Sequence, residues 1–161
     1  MMTPNVLDIN YAAFWQQLGT AVACSGAIGT ERQLRGKAAG IRTSILICVG
    51  TELFVSLGAS FPSATSDPTR VLGQVITGIG FLGAGVILAK DNRILGVTSA
   101  AVIWLLAALG SLIGLGYLAT SYVITLATIG VLVGIGVLEA AWARFRRDKP
   151  ARLLAAMEIE E

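Results

Sequence analysis

Long apolar stretches that almost lack charge alternate along the chain with short charged clusters. There are four such stretches, of which three carry no charge and the second carries only Glu52. A membrane-spanning helix needs about 20 consecutive, mostly apolar residues. The first three stretches are therefore long enough for one span each, and the fourth is long enough for two. The stretches are residues 9–30, 43–66, 71–89 and 94–138.

The fourth stretch needs an internal turn, and we place it at Gly114-Leu115-Gly116. The pattern then predicts an all-α integral membrane protein, a bundle of five transmembrane helices. We assign residues 1–138 to the membrane domain and residues 139–161 to a short cytoplasmic tail. Because the first stretch lacks the basic flank of a secretory signal peptide, we expect it to be kept as a span.

The basic residues predict how the bundle is oriented. Lys and Arg are enriched in short loops on the cytoplasmic side of a membrane. With five spans, 11 of the 12 basic residues fall on one side and only Arg70 falls on the other. The N-terminus is therefore predicted to lie outside and the C-terminus in the cytoplasm. The residues on the basic side are Arg32, Arg35, Lys37, Arg42, Lys90, Arg93, Arg144, Arg146, Arg147, Lys149 and Arg152.

Composition agrees with this class and argues against several chemistries. Hydrophobic residues make up 55% of the chain, charged residues 14%, and the mean hydropathy is +0.75. A soluble α/β domain is the alternative, but the uncharged run at 94–138 is too long for an ordinary core helix. The chain has no His, and Cys24 and Cys48 lack the CxxC spacing of zinc and redox sites. We therefore expect no catalytic residues, no metal site, no cofactor, no nucleic-acid partner and no enzymatic activity.

Small residues are concentrated in the third stretch. A formal G-x-G-x-x-G is present there, but it lacks the preceding strand and the following acidic residue that a dinucleotide site needs. We interpret the small residues as packing positions, because they let helix backbones approach closely in a membrane. Since they mark two faces, this helix is expected to be the central one. The predicted packing residues are Gly73, Gly78, Gly80, Gly83, Ala84 and Gly85.

Two further small-residue pairs leave two interpretations open. Gly110 and Gly114, and likewise Gly130 and Gly134, are spaced four residues apart. Each pair fits a contact inside the chain as well as a homodimer interface.

Polar residues at membrane depth are candidate functional sites. Glu52 lies near the middle of the second stretch, and Thr77 and Gln74 lie in the third. An intramembrane carboxylate is costly unless it is paired, neutralised or hydrated, so Glu52 has either a proton-linked or polar-path role or a structural one. Asp67 and Arg70 flank the start of the third span, where they fit a helix cap and equally a gating or ligand role.

The first cytoplasmic loop is the second candidate. It contains Arg32, Arg35, Lys37 and Arg42, which serve orientation and contact with anionic lipids. Glu31 has no part in orientation, and its spacing predicts an ion pair with Arg35. The glycines of this loop predict tight turns, so we expect it to fold back on itself.

The order of these motifs resembles the MgtC/SapB family of bacterial inner-membrane proteins over about residues 15 to 138. The matching segments are Glu31-Arg32, Gly36-Lys37, Ala39-Gly40-Ile41-Arg42-Thr43, Asp67-Pro68-x-Arg70, Gly78-Ile79-Gly80-Phe81-Leu82-Gly83-Ala84-Gly85, Gly96-Val97-Thr98-Ser99-Ala100-Ala101 and Trp104.

The resemblance implies a multi-pass protein of the bacterial inner (plasma) membrane that is linked to growth in scarce magnesium and, in pathogens, to virulence through survival inside macrophages. It also implies that some members restrain the proton-driven ATP synthase. The chain departs from the family pattern in three ways: the tail is too short for the ferredoxin-like cytoplasmic domain of many relatives, Ala38 stands where Pro is expected, and Glu52 stands where a small or apolar residue is usual.

Two functions follow from the residues and the resemblance together. The first is a non-enzymatic regulator of ion homeostasis that binds another membrane protein. The second is a transporter or channel for an ion or small solute, with the second and third spans lining the path. The lipid bilayer is the expected partner in both cases.

Overall fold

Five helices and one short β-hairpin make up the part of the chain that the structure describes. The structure is a computed structural model that describes residues 7–60, 69–90 and 93–157, apart from the side chains of Thr69, Lys90, Arg93 and residues 139–140 and 143–157. The predicted all-helical architecture with five helices is confirmed. The elements are α1 (Ala12–Leu34), α2 (Ile41–Ala59), α3 (Thr69–Gly85), β1 (Leu88–Lys90), β2 (Arg93–Leu95), α4 (Val97–Gly114) and α5 (Leu118–Met157).

The turn between α4 and α5 lies where the sequence predicts it. Helix α4 ends at Gly114, and Gly116 has a φ of +86°, a left-handed conformation that glycine adopts without a Cβ clash. The Gly116 N–H donates to the Ile113 carbonyl at 2.8 Å, and the Tyr117 N–H donates to the Leu112 carbonyl at 2.9 Å. These two bonds form a Schellman motif, which ends a helix by satisfying its last carbonyl groups.

Within the part of the chain that the structure describes, three helical segments are long and apolar enough to cross a membrane. They are Ile41–Ala59, Val97–Gly114 and Leu118–Leu138. Helix α3 has 17 residues, or about 26 Å at 1.5 Å per residue, which is shorter than the roughly 30 Å hydrocarbon core of a bilayer. The number of transmembrane helices and the position of the termini therefore remain predictions.

Helices α2 and α4 form the most extensive contact, and α1 packs against α2 and, over a smaller area, against α4. The close approach of α2 and α4 depends on Gly114, where an added Cβ would lie 2.8 Å from the Glu52 carbonyl oxygen and 3.0 Å from Val55 Cβ. The Gly110–Gly114 pair is thus a contact inside the chain. Helix α1 approaches α2 through Gly29, where an added Cβ would lie 2.7 Å from Ile41 Cα.

The expectation that the third helix is central is wrong. Helix α3 packs mainly on α4 and touches α2 over a smaller area. Of the predicted packing glycines, Gly83 is buried and faces α4, where an added Cβ would lie 3.7 Å from the Ala100 carbonyl oxygen. At the other four, an added Cβ would meet no atom of the described residues within 4 Å; these are Gly73, Gly78, Gly80 and Gly85. The predicted alanine of this set, Ala84, is exposed.

A short antiparallel hairpin, which the sequence pattern did not predict, joins α3 to α4. In its register Leu88 pairs with Leu95 and Ala89 pairs with Ile94. The two strands lie on the side of the bundle that also carries the turn between α1 and α2.

The chain divides into two compact units, Met1–Leu126 and Ala127–Glu161. Over its described residues the second unit consists of the remainder of α5, which continues to Met157. The predicted boundary between membrane domain and tail, at residue 138, lies inside this helix. Up to Leu138 its large apolar side chains are mostly exposed, including Val131, Ile135 and Leu138.

Candidate functional site

The basic turn (residues 31–42) comprises the last turn of α1, the connection that follows and the first residues of α2. It has a defined backbone. Helix α1 ends in a second Schellman motif, in which the Gly36 N–H donates to the Gln33 carbonyl at 3.0 Å and the Lys37 N–H donates to the Arg32 carbonyl at 2.9 Å. Gly36 has a φ of +62°. The predicted fold-back of this loop is therefore present.

Side chains attach the basic turn to the start of α2. Gln33 Oε1 accepts a hydrogen bond from the Ile41 N–H at 3.3 Å, and Ser44 Oγ donates to the Ala39 carbonyl at 2.9 Å. Ala39 is buried and has a φ of +61°, which is uncommon and costly for a residue with a Cβ. The surrounding contacts hold the turn in this strained conformation.

The charged side chains of the basic turn either form ion pairs or are exposed. Arg35 Nε lies 2.6 Å from Glu31 Oε1, which is the predicted i,i+4 ion pair, and Arg32 Nη1 lies 3.5 Å from Glu31 Oε2. Lys37 and Arg42 are exposed. Neither forms an ion pair with a residue that the structure describes, so the turn presents both cations on a defined backbone.

Arg32 differs from its neighbours because it is buried, with a side chain only 4% exposed. Among the residues that the structure describes, no acceptor forms a hydrogen bond with its Nε. Buried polar groups are normally paired, and a buried charge with an open donor lowers stability. This burial was not predictable from the sequence, because Arg32 occurs in a basic cluster that orientation in the membrane explains.

Glu52 is buried where α2 packs against α4. Ser56 Oγ lies 3.1 Å from Glu52 Oε1 and 3.3 Å from the Gly114 carbonyl oxygen, so its one proton is shared between two acceptors. The backbone of Glu52 lies directly against Gly110 and Gly114. The carboxylate is therefore part of a helix contact.

The other candidates lie on α3, away from that contact. Arg70 and Gln74 are exposed and line a groove between α2 and α3. On the α2 side, Thr51 lines this groove and Glu52 does not. Thr77 is exposed, and its Oγ1 donates to the Gly73 carbonyl of its own helix at 2.9 Å. Asp67 lies outside the described residues. A polar path through the second and third helices would bring Glu52 and Arg70 together. Instead, Glu52 lies in the contact with α4 and Arg70 lines the groove between α2 and α3.

Buried hydroxyl side chains lie on α1, α2 and α4, and sequence analysis missed them. Ser25, Ser44, Ser56 and Ser99 are each at most 4% exposed. Over the described residues no group of three or more His, Cys, Asp or Glu side chains is arranged to hold a metal ion.

Within the described residues, an all-helical fold with three helices long and apolar enough to cross a membrane is typical of a helical membrane protein. The sequence profile of the MgtC family matches residues 18–141. The chain belongs to the MgtC family.

Curated relatives support this assignment. The chain is 48% identical over 103 residues, 60% of its length, to the Escherichia coli K12 protein named "Putative magnesium transporter YhiD", of which 47% is covered. It is 41% identical over 116 residues, 68% of its length, to Protein MgtC of Brucella abortus, of which 48% is covered. It is 40% identical over 96 residues, 60% of its length, to Protein MgtC of Salmonella typhimurium, of which 41% is covered.

The chain thus spans about half the length of these relatives. No solved structure matches it.

Proposed function

We propose that this chain is a non-enzymatic, multi-pass protein of the bacterial inner membrane that supports growth in scarce magnesium by regulating another membrane protein. Membership of the MgtC family and the name of the YhiD relative support the link to magnesium. The basic turn is the surface that we assign to the partner.

The observation that carries this proposal is the fixed shape of the basic turn. Lys and Arg residues that only orient a protein in the membrane need no defined backbone, because the positive-inside rule depends on the number of basic residues in short loops. Here a Schellman motif, two side-chain attachments and an ion pair hold the turn, and Ala39 is kept in a strained conformation. A preorganised surface loses less entropy on binding, which favours recognition of a specific acidic partner.

The incomplete pairing of Arg32 supports the same assignment. A buried charge that lowers stability is often retained for function, because a well-packed apolar residue would stabilise the fold. Arg32 lies at the base of the basic turn, and the Lys37 N–H is bonded to its carbonyl group. Because its Nε is buried, Arg32 would serve the partner indirectly, by holding the turn in the shape that binds it.

The proposed placement of the basic turn in the cytoplasm predicts a labelling pattern. In a background with Cys24 and Cys48 replaced by Ala, a cysteine at Ala38 should resist a membrane-impermeant maleimide in intact cells. A cysteine at Ser60, at the opposite end of α2, should react. Both positions should label after the membrane is permeabilised, which controls for burial, and the reverse pattern in intact cells would contradict the five-span arrangement with the N-terminus outside.

The regulatory role is tested by neutralising the exposed cations. Expressed in a bacterial deletion strain, the double variant Lys37→Gln, Arg42→Gln should lose most of the growth rescue in low magnesium. Nine of the 11 basic residues that set orientation remain, so insertion should persist. The charge-preserving double variant Lys37→Arg, Arg42→Lys is the control and should rescue. Equal membrane abundance of both proteins, checked by immunoblot, makes the comparison valid, and full rescue by the neutral variant would contradict the proposal.

Transport is the second candidate, supported by the carboxylate inside α2 and by the name of the YhiD relative. A measurement of Mg²⁺ flux into proteoliposomes separates the two. We expect no protein-dependent flux, because Glu52 is packed against α4 and does not line the α2–α3 groove. A flux that Glu52→Gln abolishes would favour transport over regulation.

A further inference from the structure

A long apolar groove separates α2 from α3. Its volume is about 1040 Å³, at the upper end of the range for pockets that hold small molecules. It extends along α2 from Thr43 to Gly58 and along α3 from Arg70 to Leu82, and Val86, just after the end of α3, also lines it. Except for two threonines, Gln74 and Arg70, every residue that lines it is apolar or glycine.

Large apolar side chains that line the groove are exposed. Leu46 is 72% exposed, Phe54 is 65% exposed and Leu82 is 50% exposed. Ile79 and Ile103 form its floor, and both belong to a buried apolar cluster. Such a surface requires an apolar occupant.

The groove is a wedge, and this shape restricts the occupant. Near Arg70 the two helices touch, because an added Cβ at Gly58 would lie 2.6 Å from Val71 Cγ2. Further along, Gly50 and Gly78 have no atom of the described residues within 4 Å of an added Cβ. A helix about 10–12 Å wide cannot lie along the full length of a groove that narrows in this way. A flexible hydrocarbon chain can.

Arg70 supplies the polar end of the ligand. It is the single cation among the lining residues, at the end of α3 that the charge pattern places at a membrane surface. Along α3, Leu82 lies 12 residues from Arg70, which is about 18 Å and close to the depth of one leaflet, roughly 15 Å. Arginine binds phosphate through charge-assisted, bidentate hydrogen bonds.

We propose that the α2–α3 groove is a binding site for a glycerophospholipid, with an acyl chain in the groove and the headgroup phosphate at Arg70. The lipid comes from the leaflet at which α2 ends and α3 begins. This site depends on the placement of the chain in a membrane and is independent of the basic turn and its partner.

The test uses the purified full chain in detergent and two photoreactive probes. One is phosphatidylglycerol with a diazirine in an acyl chain, and the other is the same acyl chain as a long-chain alcohol without phosphate. We expect phosphatidylglycerol to crosslink to groove residues of α2 and α3. Gly78→Leu should lower this labelling at least tenfold, because the new side chain fills the groove.

Gly80→Leu is the matched control for Gly78→Leu. Both glycines are exposed on α3 with open space around them, but Gly80 does not line the groove, so labelling should persist. Gly50→Leu fills the groove from α2 and provides a second, independent variant. Arg70→Gln should reduce labelling by phosphatidylglycerol about tenfold and leave labelling by the alcohol unchanged.

Three results would overturn the proposal. The first is equal labelling of the Gly78→Leu and Gly80→Leu proteins by phosphatidylglycerol. The second is an Arg70→Gln protein that labels as strongly as the original chain. The third is a dimer that Gly78→Leu dissociates, since the groove would then hold a second copy. Growth rescue does not enter any of these readouts, so failure here leaves the regulatory proposal intact.

Discussion

Gly110→Leu is expected to abolish the folded, monodisperse protein. A Cβ at this position would collide with the Cys48 carbonyl oxygen and would lie 2.8 Å from Thr51 Cβ and 3.1 Å from the Glu52 amide nitrogen. These are mostly backbone atoms of α2, so relief requires the separation of the two central helices. Overpacking that side chains absorb costs about 1–3 kcal/mol, and the loss of the α2–α4 contact should exceed that. Size-exclusion chromatography and thermal unfolding in detergent measure the effect.

Gly80→Leu is the control, and the contrast between the two variants is informative. An added Cβ at Gly80 meets no atom of the described residues within 4 Å. The purified Gly80→Leu protein should therefore unfold at nearly the original temperature. Similar stability of the Gly110→Leu and Gly80→Leu proteins would contradict the central position of the α2–α4 contact.

Arg32→Met is expected to stabilise the protein and to abolish its growth rescue. The change replaces a buried charge that has an open Nε with an apolar side chain of similar length, and Glu31 keeps its ion pair with Arg35. Replacing a whole buried ion pair by apolar residues is neutral or stabilising by about 1–4 kcal/mol, whereas removing one partner alone destabilises. Because Glu31 keeps Arg35 as a partner, we expect this single change to fall near the lower end of the stabilising range. A gain of 1 kcal/mol would raise the unfolding temperature by roughly 2–4 °C for a chain of this size.

Two readouts separate a functional from a structural role of Arg32. If Arg32 serves the partner, stability rises while rescue in low magnesium is lost. If it serves the fold, both fall together, and the proposal for the basic turn loses its support from this residue. Arg35→Met is the comparison variant at a more exposed position, and it should lower the unfolding temperature because it leaves the Glu31 carboxylate, which is only 10% exposed, with Arg32 as its remaining partner at 3.5 Å.

The helices were predictable because their signal is local. Uncharged runs mark each helix, and the glycines at 114 and 116 mark the turn that divides the longest run. The centre of the bundle was not predictable in the same way. Small residues show that a helix face can pack closely, but they do not show which helix it packs against. In this chain the closest packing is between α4 and α2, at Gly110 and Gly114, and not on α3. The hairpin was missed because its strands have only three residues each.

The basic turn was partly predictable. The spacing of Glu31 and Arg35 predicts their ion pair, since residues four apart meet on a helix surface. The burial of Arg32 depends on contacts made by distant parts of the chain, and no local pattern encodes it. Glu52 was recognised as unusual, but its bond to Ser56 and its place against Gly114 required the position of α4.

The contact between α2 and α4 can form only some time after α2 has been synthesised. Ser56 and the Gly114 carbonyl, which share a hydrogen bond, are 58 residues apart in the chain. At about 5–20 residues per second, the ribosome needs roughly 3–12 s to make the segment between them. During that interval α2 carries Glu52 and Ser56 without the glycine face that later covers them. Nascent α2 must therefore rest against α1, an insertase or hydrated lipid until α4 is released.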